Sequence, residues 1–184
     1  MQKLILGLIG EMASGKSTVT SYLKEKYGAV SFRFSDMLRD VLNRVHVETT
    51  RENMQTISTL LRQNFGEDLM SKVIALDVAE AAADFIITEG VRRPTDITYL
   101  RKVPGFHLVA LTAEPRTRYE RMTARRENPD DAIKTWEAFH AESQSEPEQK
   151  IKEIATEAEF VMDNNGSTES LFHQIDEIVQ KLRS

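Results

Sequence analysis

The sequence predicts a three-layer α/β/α fold, with helices covering both faces of a five-stranded parallel sheet. Three observations carry this expectation. Apolar runs of strand length alternate with helical patterns through all 184 residues. The runs Leu4 to Ile9 and Phe85 to Thr88 lack the polar alternation of a half-exposed strand, as strands buried on both faces do. A glycine-bearing turn, Gly10 to Ser17, separates the first run from the first helical pattern.

The elements follow in order. Leu4 to Ile9 reads as the first strand, and the helix after the turn reaches about Tyr27. Gly28 stands where a helix end favours a positive φ. Ala29 to Phe34 reads as a second strand, followed by a helix with Met37, Leu38, Val41, Leu42 and Val45 on one face. Thr49-Thr50-Arg51-Glu52 has capping-box form and opens a helix that Gly66 ends. Another helix runs from Leu69 to near Ala82. Phe85 to Thr88 is the third strand, a helix is expected around Thr95 to Val103, and Pro104-Gly105 turns the chain into the strand Phe106 to Thr112. Pro115 suits the first turn of the next helix.

Residues 126–150 change character. They are polar, with a thin apolar stripe of Ile133, Trp136 and Phe139, and read as a helical flap packed less firmly than the body. Trp136 reads as a packing anchor of that flap, and the charges from Glu146 to Glu159 as a solvated helix face. Phe160 to Met162 is a short fifth strand, and the closing helix packs Leu171, Ile175, Ile178, Val179 and Leu182. Residues 1–184 are expected to form one domain, with crossovers of right hand.

Composition narrows the function classes. With no cysteine the chain forms neither disulfides nor thiolate metal sites. Its four histidines show no metal-ligand spacing. A net charge of −5 argues against a general nucleic-acid binder. No apolar run reaches the length of a membrane span, and the short apolar start is not a secretory signal. A cytoplasmic protein acting on a small molecule is expected, as a monomer or homodimer.

The turn from Gly10 to Ser17 has the spacing glycine, four residues, glycine, lysine, serine. This phosphate loop curls so that backbone N–H groups converge on phosphate oxygens. The helix start beyond Gly15 adds its positive dipole end. Lys16 would meet the β- and γ-phosphates of ATP, and the Ser17 hydroxyl would meet Mg2+. The expected nucleotide-binding set is Gly10, Ala13, Ser14, Gly15, Lys16, Ser17 and Thr18.

Ligands of open α/β sheets lie beyond the carboxyl ends of the strands. There the second strand offers Asp36 and Arg39, and the third offers Glu89, Arg92 and Arg93. One of these two arginines is expected to face the site, with Arg93 preferred. The fourth strand leads into a helix bearing Arg121 and Arg125, and the fifth ends at Asn164-Asn165-Gly166-Ser167. Arginine grips phosphate oxygens in pairs and keeps its proton. Glu89 could hold magnesium through water or orient the attacking oxygen. Each residue also has a plainer reading. Asp36 would cap a helix, Arg121 and Arg125 would pair with Glu114, Glu120 or Glu127, and Asn165-Gly166 would be an ordinary turn.

With these motifs the chain resembles the P-loop nucleoside-monophosphate-kinase-like group, which includes adenylate kinases and dephospho-CoA kinases. Ser35-Asp36-Met37-Leu38-Arg39 is similar to the segment whose arginine holds the acceptor phosphate. Glu89-Gly90-Val91-Arg92-Arg93 is similar to the acidic-glycine stretch followed by a second such arginine. The helix with Arg121 and Arg125 resembles the lid entry, whose arginines embrace the donor phosphates, and Asn165-Gly166-Ser167 resembles the loop beside the donor adenine. The resemblance implies a P-loop NTPase sheet of strand order 2-3-1-4-5. It also implies that helices in residues 36–83 wall the acceptor pocket and that residues 126–150 act as a lid. Ser35 stands where adenylate kinases carry glycine and Glu89 where they carry aspartate, while the C-terminal third is closer to dephospho-CoA kinases. The expected activity is magnesium-dependent transfer of the ATP γ-phosphate to a nucleoside or deoxynucleoside monophosphate. Dephospho-CoA kinase, with Asp36 as base, and a slow nucleotide-hydrolysing switch are the alternatives.

Overall fold

The computed structural model describes residues 3–125 and 133–184. Its five strands are β1 (Leu4–Ile9), β2 (Val30–Arg33), β3 (Phe85–Glu89), β4 (Phe106–Thr112) and β5 (Phe160–Asp163). All pair in parallel, in the order β2-β3-β1-β4-β5. This is the expected P-loop arrangement. The chain leaves the central β1 for β2 and β3 on one side, then crosses to β4 and β5 on the other. That reversal leaves a crevice above β1, the place where such sheets receive ligands.

The pleat divides the core. Ile5 and Ile9 face one way and pack with Leu38, Met70, Ile74 and Val78, supplied by α2 (Asp36–Arg44) and α4 (Leu69–Glu80). Leu4, Leu6 and Leu8 face the other way and pack with Val19, Leu23 and Ile175, from α1 (Lys16–Tyr27) and α8 (Thr168–Arg183). Every β1 residue is buried, which explains its unbroken apolar pattern. The edge strand β2 is only partly covered.

Local chemistry sets the ends. Gly28 closes α1 in the left-handed region at φ 67°, which glycine adopts without steric cost. Helix α3 (Arg51–Phe65) is capped by Thr50, whose side chain accepts from the Asn53 amide. The cap therefore falls one residue later than the Thr49 to Glu52 pattern implied. Among the described residues α3 buries no side chain fully, and Met54, Ile57 and Leu61 only lean on the core.

Two expectations change. The helix anticipated from Thr95 to Val103 is a pair of short 3-10 turns, Pro94–Ile97 and Leu100–Lys102. The buried Asp96 carboxylate takes the Arg92 and Arg93 amides at 2.9 and 3.0 Å, so the segment tightens around that side chain. The flap also packs more firmly than its polar composition suggested. Helix α5 (Pro115–Arg125) leads towards it, and α6 (Trp136–Ser143) and α7 (Glu146–Ala155) follow. Phe139 is fully buried against Met122 and Ala13. Trp136 packs on Tyr119 and Phe139. Ile151 and Ile154 of α7 enter the main core, so that helix is amphipathic and only one face is solvated. Residues 126–132 of the expected flap lie outside the described residues, as does Glu127.

Candidate active site at the carboxyl edge of the sheet

The loop after β1 is shaped by two left-handed residues, Ala13 at φ 60° and Gly15 at φ 106°. A side chain at Gly10 would stand 2.5 Å from both the Leu111 carbonyl oxygen and Ser14 Oγ. One at Gly15 would stand 2.1 Å from Asn164 Nδ2. Both glycines are therefore required by space, and Gly15 by backbone conformation as well. Such a curl directs amide N–H groups towards a common centre, as an anion nest does. These residues fit a polyphosphate.

Lys16 folds over this nest. Its ammonium donates to the Gly10 and Glu11 carbonyl oxygens at 2.6 and 2.9 Å and lies 3.4 Å from Ser14 Oγ. Burial pushes its pKa down to about 8. Arg92 and Arg125 push in the same direction, while Glu148 and Glu89 oppose them. Charges from β3, α5, α7 and the segment after β3 thus converge on one ammonium group. Beside it an open cavity of about 420 Å³ is lined by Ala13, Gly15, Ser17, Thr18, Arg121 and Arg125.

The other expected residues divide. Glu89 ends β3 with its carboxylate held by Thr20 on one oxygen and by Arg33 Nε at 3.0 Å on the other. Asp36 accepts from the Arg33 amide at 2.9 Å, and Arg39 Nη1 donates to Ser35 Oγ at 2.6 Å and lies 3.4 Å from Asp36. Asp36 is thus engaged by backbone and by Arg39, but it does not cap the helix as its plainer reading had it, since its carboxylate turns back to Arg33 and the N-cap is Ser35. Of the arginine pair, Arg92 acts on Lys16, whereas Arg93 reaches away to Glu67 at 2.7 Å.

Arg121 meets neither Glu114 nor Glu120. It donates to the Asn164 carbonyl oxygen at 2.7 Å, and Glu120 pairs with Arg116 instead. Asn165 joins its turn to the segment after β4: its side-chain oxygen accepts from the Glu114 amide at 2.7 Å, and its own amide donates to Asp163 at 3.0 Å. Gly166 follows in the turn before Ser167, which caps α8.

Two contributors, Arg118 and Glu148, escape sequence reading, and a third, Asn164, was read only as part of the turn after the fifth strand. Asn164, buried where Asn165 is exposed, donates its side-chain amide to the Ser14 carbonyl oxygen at 2.8 Å. Arg118, 1% exposed, donates to the Ala113 and Met12 carbonyl oxygens and to Glu11. Glu148 reaches the Met12 amide at 3.2 Å. Helix position gives a partial signal for Arg118, one turn before Arg121 on an arginine-rich helix. Glu148 has none, being one glutamate of many in a charged stretch.

Comparisons with known proteins agree with this architecture. The family described as "AAA domain" matches residues 9–139. A UPF0200 protein of Thermococcus kodakarensis is 30% identical, with 97% of this chain and 100% of that protein covered. A UPF0200 protein of Methanocaldococcus jannaschii is 29% identical over 97% of this chain and 90% of its own length. The crystal structure of shikimate kinase from Bacteroides thetaiotaomicron superposes with a TM-score of 0.63 at 16% identity, covering 96% of this chain and 98% of that one. The resemblance to P-loop nucleoside-monophosphate-kinase-like proteins and the expected sheet order are both borne out. Among the described residues no helix is long and apolar enough to cross a membrane.

Proposed function

The chain belongs to the AAA domain family and to the UPF0200 proteins, and from that premise we propose that it is a magnesium-dependent phosphotransferase. It moves the γ-phosphate of ATP to a small acceptor, a nucleoside or deoxynucleoside monophosphate. The observation that carries this reading is the electrostatic setting of Lys16. Its ammonium is buried beside the amide nest, and that burial lowers its pKa to about 8. A buried ammonium that has lost its hydration is one that a polyanion relieves.

Each residue has a role in this reading. The amides of Ala13 to Thr18 and the Lys16 ammonium hold the donor phosphates. Ser17 would hold magnesium directly and Glu89 through water; the metal, when bound, neutralises charge between adjacent phosphates. Arg39 and Arg92 grip the acceptor phosphate, and Asp36 orients Arg39. Arg125 offsets charge on the moving group, and Arg121 braces the loop through Asn164. The Asn165-Gly166 turn flanks the donor base. Transfer of this kind depends on alignment and charge compensation more than on covalent help. The helices of residues 36–83 wall the acceptor side, and the flap excludes water that would otherwise hydrolyse ATP.

The test is a coupled ADP-release assay with Mg·ATP across nucleoside monophosphates, deoxynucleoside monophosphates and dephospho-CoA. Stimulation of about tenfold or more by one monophosphate is expected, corresponding to about 1.4 kcal/mol of barrier. Release that no acceptor alters would instead assign the protein to the nucleotide-dependent switches. Stimulation by dephospho-CoA alone would move the acceptor to a ribose hydroxyl.

A further inference from the structure

Helix α7 touches the phosphate loop at two points one turn apart. Glu148 in its first turn accepts from the Met12 amide at 3.2 Å, and Lys152 lies 3.5 Å from the Glu11 carboxylate. Glu11 is in turn held by Arg118 at 2.9 Å. The base of the helix is anchored, because Ile151 and Ile154 are buried in the main core. Its first turn is therefore the part that can yield.

The position of the Glu148 carboxylate is unusual for a helix side chain. It takes a backbone N–H of the loop whose N–H groups form the anion nest, and its negative charge acts on the Lys16 ammonium. Those are the two kinds of partner that a phosphoryl oxygen would take from the same loop. A carboxylate seated on Met12, next to the Ala13 to Thr18 amides and the Lys16 ammonium, repels a phosphoryl group that takes them.

We infer that Glu148 is an internal stand-in for phosphate, occupying the Met12 amide and facing Lys16 until a polyphosphate displaces it and frees the first turn of α7. This rests on the reading that the loop holds phosphates, and it adds that α7, directly beyond the flap helix α6, senses their arrival. While Glu148 is seated it competes with the incoming anion. Displaced, it leaves α7 attached through Lys152, Ile151 and Ile154 while the turn at Glu146 to Glu148 loosens.

The test uses the full chain and inorganic tripolyphosphate, which needs neither an acceptor nor a base-recognition contact. Calorimetric titration of the unaltered protein, Glu148→Gln and Lys16→Ala separates the contributions. Glu148→Gln keeps the size and one acceptor oxygen but removes the charge, and is expected to bind tripolyphosphate at least fivefold more tightly. Lys16→Ala is expected to bind it at least tenfold more weakly. Hydrogen exchange on the unaltered protein gives a second readout that no variant's folding can spoil. Saturating tripolyphosphate is expected to speed amide exchange at residues 149–152, whose N–H groups bond back to carbonyl oxygens at the start of α7, and to slow it in residues 10–17. Equal or weaker binding by Glu148→Gln, or unchanged exchange in α7 with the loop protected, overturns the inference while leaving phosphate binding intact. Tighter binding by Glu148→Gln with no acceptor ever stimulating ADP release would sink the kinase reading and leave this one standing. Failure of every form to bind tripolyphosphate would overturn both.

Discussion

The Asn164 side-chain amide donates to the carbonyl oxygen of Ser14 at 2.8 Å, tying the end of β5 to the phosphate loop across 150 residues of sequence. The Asn164 carbonyl oxygen in turn accepts from Arg121 at 2.7 Å. The loop's curvature is thus held from outside by a residue that contributes nothing to its own motif. Asn164→Asp places an acceptor against an acceptor and should be more damaging than Asn164→Ala. A loss of about 1–3 kcal/mol is expected for a buried group left without its partner. Urea denaturation measures it, and a loss below about 0.5 kcal/mol in Asn164→Asp would count against the tie.

Arg118 should be the least replaceable arginine on α5. It is buried and serves two backbone carbonyl oxygens and Glu11 while lying over the Phe139 ring. Removing Arg118 leaves two backbone carbonyl oxygens without their donor, a cost of about 1–3 kcal/mol for buried polar groups, while Glu11 keeps Lys152. Arg118→Ala should therefore lower stability by that amount, and Arg118→Lys should not restore it, since a single ammonium cannot serve three separated acceptors. Chemical denaturation of the two variants decides the point; full rescue by lysine would refute the fork geometry as the reason.

Lys16 makes the protein's response to pH specific in sign. Its pKa in the folded chain is about 8 against an ordinary value of 10.5. Between those values the unfolded chain binds the extra proton. The stability penalty from Lys16 is therefore full below about pH 8 and fades as pH rises towards 10.5. A bound polyphosphate restores the proton, so nucleotide binding above pH 8 should take up protons. Affinity should fall about tenfold per pH unit in that range. Calorimetry at pH 8.5 to 9 in two buffers of different ionisation enthalpy reads the uptake directly. Proton release, or an affinity independent of pH, would contradict the assignment.

Arg92 and Arg93 should separate cleanly. Arg92 acts on Lys16, whereas Arg93 is held at 2.7 Å by the exposed Glu67. Arg92→Ala is expected to lower phosphoryl transfer about a hundredfold or more, within the range for removing one preorganised charge at a reacting centre. Arg93→Ala should cost a few fold, since an exposed ion pair contributes about 1 kcal/mol or less. Steady-state kinetics with a working acceptor compares them, and a larger loss in Arg93→Ala would reverse the assignment.

Arg39→Ala should raise the apparent acceptor constant about tenfold or more, as loss of a charge-assisted contact does, with ATP affinity little changed. Substrate titrations of the variant give both constants. An equal loss for both substrates would remove Arg39 from the acceptor side.

Particular residues show what sequence reading could reach. Gly10, Gly15 and Lys16 were legible because the anion nest is built within one turn of chain, where spacing and geometry are nearly the same thing. The strands β1, β3 and β4 were legible because burial on two faces demands apolar residues without alternation. The helix expected from Thr95 to Val103 was misread because a single buried carboxylate, Asp96, outweighs local propensity by taking two backbone amides. Within the flap the thin stripe gave no measure of how firmly Phe139 packs, because Met122 and Ala13, which bury it fully, come from other parts of the chain.

The sequence alone determined the phosphate nest and the parallel sheet, since both follow from contacts between near neighbours or from a periodic pattern. Which side chains surround that nest was decided only in three dimensions. Glu148 reaches Met12 over 136 residues, Arg118 reaches Glu11 over 107, and Asn164 reaches Ser14 over 150. No local signal encodes such meetings, because they arise where separate elements are brought to one edge of the sheet by the packing of its two cores.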